Sequence, residues 1–150
     1  MNDSVAHDFI IKYQEDVFRF CFYLCRNEAQ AEDLAQETFI KVLVNIEKIQ
    51  NQKSYLFKVA KNLFIDRQRK NKYEKIFLSE QLESKTINPV DLEIWQTLFS
   101  LESQDQDIIL LIDREGLSLS EAAVVLNQAE SSLKSRLMRA RDNFIIKWNK

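Results

Sequence analysis

Apolar residues recur at helical spacing along nearly the whole chain. Ile10, Tyr13, Val17, Phe20, Cys21 and Leu24 share one helical face, which predicts an amphipathic helix over residues 8–25. Asn27 is placed to cap a second helix, with Gln30 at its third position and Leu34, Ala35, Thr38, Phe39, Val42 and Ile46 as its inward stripe. A polar connector at 50–54 leads to a third helix expected over about 54–72, facing inward with Leu56, Val59, Ala60 and Leu63. The period then fades. Residues 71–88 turn polar around Ser79-Glu80-Gln81 and read as a linker, part of which Ile76, Phe77 and Leu78 are able to dock.

Pro89 opens a second helical group, whose first helix carries Ile94, Trp95, Leu98 and Phe99. Ser103 with Gln106 has the spacing of a capping box, ahead of an apolar run over 108–112 that stops at Gly116. Ser118 with Glu121 repeats the capping pattern, and Leu133, Leu137, Ala140, Phe144 and Trp148 line one face of the last helix. The expected architecture is all-α: a domain over 1–70, a linker over 71–88 and a second domain over 89–150.

Composition narrows the function. Of 150 residues, 45% are hydrophobic and 29% charged, enough for cores and too apolar for wholesale disorder. Glycine and proline occur once each, so folds that need many positive-φ turns are excluded, as are glycine-rich phosphate loops. One histidine, His7, and two cysteines are too few for a zinc site of His and Cys ligands. His7 is expected in a frayed terminus. Cys21 and Cys25, i,i+4 neighbours on a helix, read as buried small hydrophobes rather than a disulfide or redox pair. With no long apolar run and no signal-peptide pattern, the chain is expected to be cytoplasmic, without membrane insertion, cofactor or catalysis.

Charge is segregated beneath a net value of −2: residues 1–52 carry −4, 53–75 carry +6, 76–133 carry −9 and 134–150 carry +5. Two basic blocks in an acidic background are the footprint of a polyanion partner, or else two solvated helix faces. The third helix sharpens the choice. Lys58, Lys61, Asn62, Arg69 and Lys72 cluster opposite its apolar stripe, with Tyr55, Phe57, Phe64 and Tyr73 interleaved. Aromatics beside a basic track suit unstacked bases, and equally suit a core.

The most informative local pattern lies near the C-terminus. A helix-turn-helix needs a small residue at the helix contact, a residue tolerant of left-handed φ four positions on, and an apolar lock six further; Ala123, Asn127 and Leu133 fit. With Leu133 inward, Ser132, Ser135, Arg136 and Arg139 are expected on the outward side, within reach of base edges and phosphates.

Three stretches, taken in order, resemble bacterial extracytoplasmic-function (ECF) RNA polymerase sigma factors. Ala31-Glu32-Asp33-Leu34-Ala35-Gln36-Glu37-Thr38-Phe39 resembles the AEDLxQETF signature. Tyr55 through Asp66, YLFKVAKNLFID, resembles WLxxIARNxxID. Gly116-Leu117-Ser118 through Leu133-Lys134-Ser135-Arg136-Leu137-Met138-Arg139-Ala140-Arg141 resembles GLSxxEIA…VKSRLxRAR.

The resemblance implies docking of the second helix on the β′ clamp helices of core RNA polymerase through Asp33, Gln36, Glu37 and Phe39. It implies binding of the unwound minus-ten element by Tyr55, Lys58, Lys61, Asn62 and Arg69. It further implies duplex readout of the minus-thirty-five element by Ser132, Lys134, Ser135, Arg136 and Arg139, contact of the C-terminal domain with the β flap, and control by an anti-sigma factor. The 71–88 linker would thread toward the RNA exit path.

Departures from the pattern are local. Tyr55 stands for Trp, Leu101-Glu102 for Leu-Pro, and Asn127 for Gly. Ala129 cannot cap, which leaves Ser131 as the candidate N-cap of the last helix. The alternative reading is a stand-alone helix-turn-helix regulator, which would have no need of the motif at 31–39.

Overall fold

The computed structural model describes residues 3–46, 50–70 and 89–150, so the expected 71–88 linker, with Lys72 and Tyr73, lies outside the described residues. Among the described residues the α-helices, in chain order, are α1 (Asp3–Cys25), α2 (Glu28–Leu43), α3 (Gln52–Arg69), α4 (Pro89–Phe99), α5 (Ser103–Ile108), α6 (Leu119–Leu126) and α7 (Glu130–Trp148). No strand occurs among the described residues, and none of their helices is long and apolar enough to cross a membrane. The chain divides into two compact units, one carrying α1–α3 and the other α4–α7.

In the first unit, α1 begins earlier than its apolar period suggests and takes in His7, which is exposed on an ordered helix rather than on a frayed end. The α1–α2 corner is tight. Arg26 adopts left-handed φ (56°) and its N–H reaches the Phe22 carbonyl at 2.7 Å; Asn27 then turns extended, and its Oδ1 accepts from the Gln30 N–H at 2.9 Å. Val17, Phe20 and Cys21 of α1 meet Leu34, Thr38 and Val42 of α2 and Leu56, Phe57 and Ala60 of α3 in the core. Phe20 and Phe57 stack at 4.5 Å between ring centroids. Burying a side chain of this size contributes about 1.5–3 kcal/mol, so apolar packing sets where α3 lies. The one buried hydroxyl of the α2 stripe, on Thr38, donates to the Leu34 carbonyl at 2.8 Å.

In the second unit, Trp95, Leu98 and Phe99 of α4 are buried with Ile108, Leu110, Leu111, Ala122, Val125, Leu133, Leu137 and Ala140. The pattern at Ser103 and Gln106 is not a capping box. Glu102 holds the N-cap position without a side-chain bond, and the buried Gln106 amide turns back to donate to the carbonyls of Leu101 (2.6 Å) and Phe99 (3.2 Å). Those carbonyls, left over as α4 ends, need a donor once buried, and that need outweighs local capping. Beyond α5 the helix widens into a π-type turn over Ile109–Arg114, where the Glu115 N–H reaches the Leu110 carbonyl at 2.9 Å. Gly116 closes it at φ +75°, a conformation that a side chain would strain.

The capping box at Ser118 and Glu121 is complete, with bonds of 2.9 and 3.1 Å. Asn127 ends α6 in the left-handed region (φ 53°, ψ 48°), and the Gln128 N–H closes on the Ala123 carbonyl at 3.1 Å. The small residue fully buried at this corner is Ala122, one position before the expected Ala123, which is half-buried. The last helix starts at Glu130 with Ala129 in extended conformation as its N-cap, so Ser131 lies inside the helix and does not cap it. Glu130 compensates, a carboxylate in the first turn at the positive end of the helix dipole.

Candidate nucleic-acid interface

On α3 the cations divide by direction. At 100° per residue, Lys53 and Arg67 fall about 60° and 20° from Leu56, on the core side. Both are used internally. Lys53 Nζ lies 3.6 Å from Asp16 Oδ2 of α1 and 5.8 Å from the Phe57 ring centre. Arg67 bridges to α2, its Nη1 donating to Asp33 Oδ2 at 2.6 Å while Nη2 pairs with Glu37.

The opposite face carries the residues expected to meet unwound DNA. Tyr55 is 39% exposed, Asn62 and Arg69 are exposed, and Lys58 and Lys61 are half-buried along the same side. The interleaved aromatics separate as chemistry demands. Phe57 belongs entirely to the core, Phe64 is half-buried, and among the described rings of this set Tyr55, whose hydroxyl tolerates water, is the one left at the surface.

Asp33 and Gln36 are exposed and Glu37 half-buried, so α2 presents three polar side chains on adjacent turns. Phe39 does not join them. It is buried in the apolar stripe with its ring edge-on to Phe9 at 6.1 Å, so a partner has no direct access to it; its helix position is inward, and any part in docking is through packing. Asp33 and Glu37 lie off the apolar stripe, as their positions suggest, but both are tied to Arg67 rather than free.

On α7, Ser132, Lys134, Ser135 and Arg139 are exposed on the outer face. Arg136 departs from the expectation. Its Nη1 donates to Asp105 Oδ1 of α5 at 3.2 Å, and Asn143 Nδ2 donates to the other carboxylate oxygen at 3.3 Å. The physical reason is angular: Arg136 sits about 60° from Leu133, at the edge of the inward stripe rather than opposite it. Trp148 is 43% exposed, stacked on the half-buried Phe144 at 6.2 Å rather than inserted in the core. Arg141 makes two bonds to Asp113, at 2.6 and 3.0 Å, which tie α7 to the π-type turn. The sequence reading missed Arg67 and Asp105. Both carry a readable signal, an ionisable residue on the apolar side of a helical wheel.

Cys21 and Cys25 are buried and free. Burial pushes the Cys25 thiol up to about 12, and the Cys21 thiol higher still, against a smaller opposing pull from the nearby Arg67 guanidinium. Neither thiol is positioned for chemistry, and no group of three His, Cys, Asp or Glu residues suited to a metal ion occurs among the described residues.

The signature of Sigma-70 region 2 matches residues 9–73, and that of Sigma-70 region 4 matches residues 91–143. The ECF RNA polymerase sigma factor SigM of Bacillus subtilis is 32% identical over 149 residues, covering 92% of this chain and 91% of the relative. EcfG of Rhodopseudomonas palustris is 30% identical, covering 94% of this chain and 83% of its own length. The fold is that of solved sigma factors. The sigma factor RpoE in complex with the anti-sigma factor NepR from Bartonella quintana superposes with a TM-score of 0.74 at 22% identity, covering 93% and 94% of the two chains. CnrH in complex with the cytosolic domain of CnrY gives 0.71 at 18% identity, covering 97% and 88%. Two region signatures in order, a relative aligned over nine-tenths of both chains and two helical units carrying the matching motifs lead to one conclusion: the chain belongs to the ECF family of RNA polymerase sigma factors, which direct the polymerase to promoters and start transcription.

Proposed function

We propose that the helices of this sigma factor divide the work of initiation. Asp33, Gln36 and Glu37 on α2 dock on the clamp helices of the polymerase β′ subunit. Tyr55, Lys58, Lys61, Asn62 and Arg69 on α3 hold the unwound strand of the minus-ten element, bases stacking on the Tyr55 ring while cations follow phosphates. Ser132, Lys134, Ser135 and Arg139 on α7 read the minus-thirty-five element as duplex, and the C-terminal unit also meets the β flap. The domain boundaries follow the same division, with 1–70 and 89–150 as working units and 71–88 between them. The chain performs no catalysis of its own, works in the cytoplasm and is held in check by an anti-sigma factor.

The observation that carries the assignment of α3 is the sorting of its side chains. Lys53 and Arg67 are engaged with acids of α1 and α2, whereas Tyr55, Asn62 and Arg69 face water. A ring beside exposed amide and guanidinium groups supplies what an unpaired strand needs, a surface for base stacking next to donors for phosphates.

Site-specific crosslinking tests the division. A photoreactive side chain at position 62 in the assembled polymerase–promoter complex is expected to label the non-template strand at the minus-ten element, and one at position 139 the upstream duplex. Labelling of the upstream duplex from position 62 would refute it.

A further inference from the structure

We propose that Arg67 is a positioning residue that couples polymerase docking on α2 to promoter opening by α3. The inference rests on the assignment of Asp33 and Glu37 to the docking face. It starts from an asymmetry of burial: the Arg67 side chain is 12% exposed, whereas those of Asp33 and Glu37 are 66% and 46% exposed. The guanidinium therefore lies beneath two carboxylates that keep part of their surface in water. Its planar fork holds donors in fixed directions: Nη1 donates to Asp33 Oδ2, and Nη2 forms an ion pair with the buried Oε2 of Glu37. The two acids stand one turn apart on α2, and a single group from the last turns of α3 sets the orientation of both.

Two consequences follow from this geometry. A partner that engages the exposed carboxylate surface meets side chains already oriented, and the entropy of ordering them is not lost on binding. Any movement of those carboxylates on docking is also felt at Arg67, two positions from Arg69 and one turn beyond Leu63 on the helix whose outer face holds Asn62. Packing of Leu56 and Phe57 locates α3 without help from the ion pairs, so the pairs are left to govern orientation. The guanidinium also acts on the thiols of Cys21 and Cys25, which puts it where all three helices of the unit meet.

The test uses the full chain assembled with core polymerase. Arg67→Lys keeps the charge but replaces the fork by a single ammonium; Arg67→Met removes both, and Arg67→Lys carries the test alone should Arg67→Met not fold. Core affinity is measured by titration. Opening at saturating core is followed by permanganate reactivity of unpaired thymines on duplex promoter, and run-off transcript is measured on duplex and on pre-melted promoter. Arg67→Lys is expected to bind core about 3- to 10-fold more weakly, and Arg67→Met more weakly still. Both are expected to open duplex promoter slowly even at saturating core, with the pre-melted template restoring the wild-type signal.

Wild-type core affinity in both variants would overturn the proposal. So would normal opening at saturating core, or a defect that persists on the pre-melted template. The double variant Asp33→Asn, Glu37→Gln separates the two levels. If it binds core normally, the docking assignment falls and the coupling with it. If it binds weakly while the Arg67 variants behave as wild type, only the coupling falls.

Discussion

Arg136 Nη1 donates to Asp105 Oδ1 at 3.2 Å across 31 positions of sequence, and the accepting carboxylate is buried. Asn143 occupies the second oxygen of the same carboxylate, two turns further along α7. One acid on α5 thereby fixes both the rotation and the axial position of the helix assigned to the upstream element. The bond gives Arg136 a part in holding α7, beside the DNA contact expected of it from the sequence.

Arg136 and Arg139 are therefore expected to fail differently. Arg139→Ala should leave stability unchanged and lower the preference for the native upstream element, by about 1–3 kcal/mol if the guanidinium is bidentate to a guanine. Arg136→Met should lower stability by about 1–3 kcal/mol, because it leaves a buried carboxylate with Asn143 but without its cation, and weaken promoter binding evenly across sequences. Denaturant unfolding, together with competition binding on a panel of upstream variants, reads both effects.

The turn before α7 makes a second prediction. Asn127 holds φ 53° and ψ 48°, a region that a β-branched residue enters only with strain. Asn127→Gly is expected to stay within a few tenths of a kcal/mol of wild type, and Asn127→Val to lose about 1–2 kcal/mol. Urea unfolding of the full chain distinguishes them.

The cysteines supply a pH dependence. The Cys25 thiol is raised from an ordinary value of 9.0 to about 12, so the folded state holds its proton more tightly than the unfolded chain. This contribution to stability is fully present below pH 9.0 and is lost as pH rises from there towards 12. Cys25→Ala should flatten the fall of unfolding free energy over that window. Native protein at neutral pH should also react with a thiol reagent far more slowly than denatured protein, with both thiols released together on unfolding.

Much of this fold is legible residue by residue. Asn27 and Ser118 cap as their side chains allow, the stripe of α2 and that of α7 as far as Ala140 bury where the helical period puts them, and Asn127 takes the left-handed turn. What sequence leaves open is how polar groups are satisfied over long range. Ser103 and Gln106 have the spacing of a cap, yet the carbonyls of Phe99 and Leu101 claim the Gln106 amide. The π-type turn at 109–114 carries no sequence mark beyond an apolar run. Phe39 sits within a surface motif while its own position on the wheel is inward. Arg136 looks like a member of a DNA-facing set until its bond to Asp105 is seen, and Arg67, absent from that set, is marked only by its angle to Leu56. Local chemistry names the ionisable residues, and only tertiary neighbours decide which of them face a partner.

The division of labour between α3 and α7 is tested most directly by transcription from closed and pre-melted templates. Lys58→Ala, Asn62→Ala and Arg139→Ala variants are each assembled with core polymerase, and run-off product is compared on duplex promoter and on the same promoter with an unpaired minus-ten bubble. On the proposed division Lys58 and Asn62 serve opening, so the bubble should restore their output to near the wild-type level while Arg139→Ala stays impaired. Equal rescue of all three, or rescue of Arg139→Ala alone, would contradict the assignment of α3 to the unwound strand and α7 to the duplex.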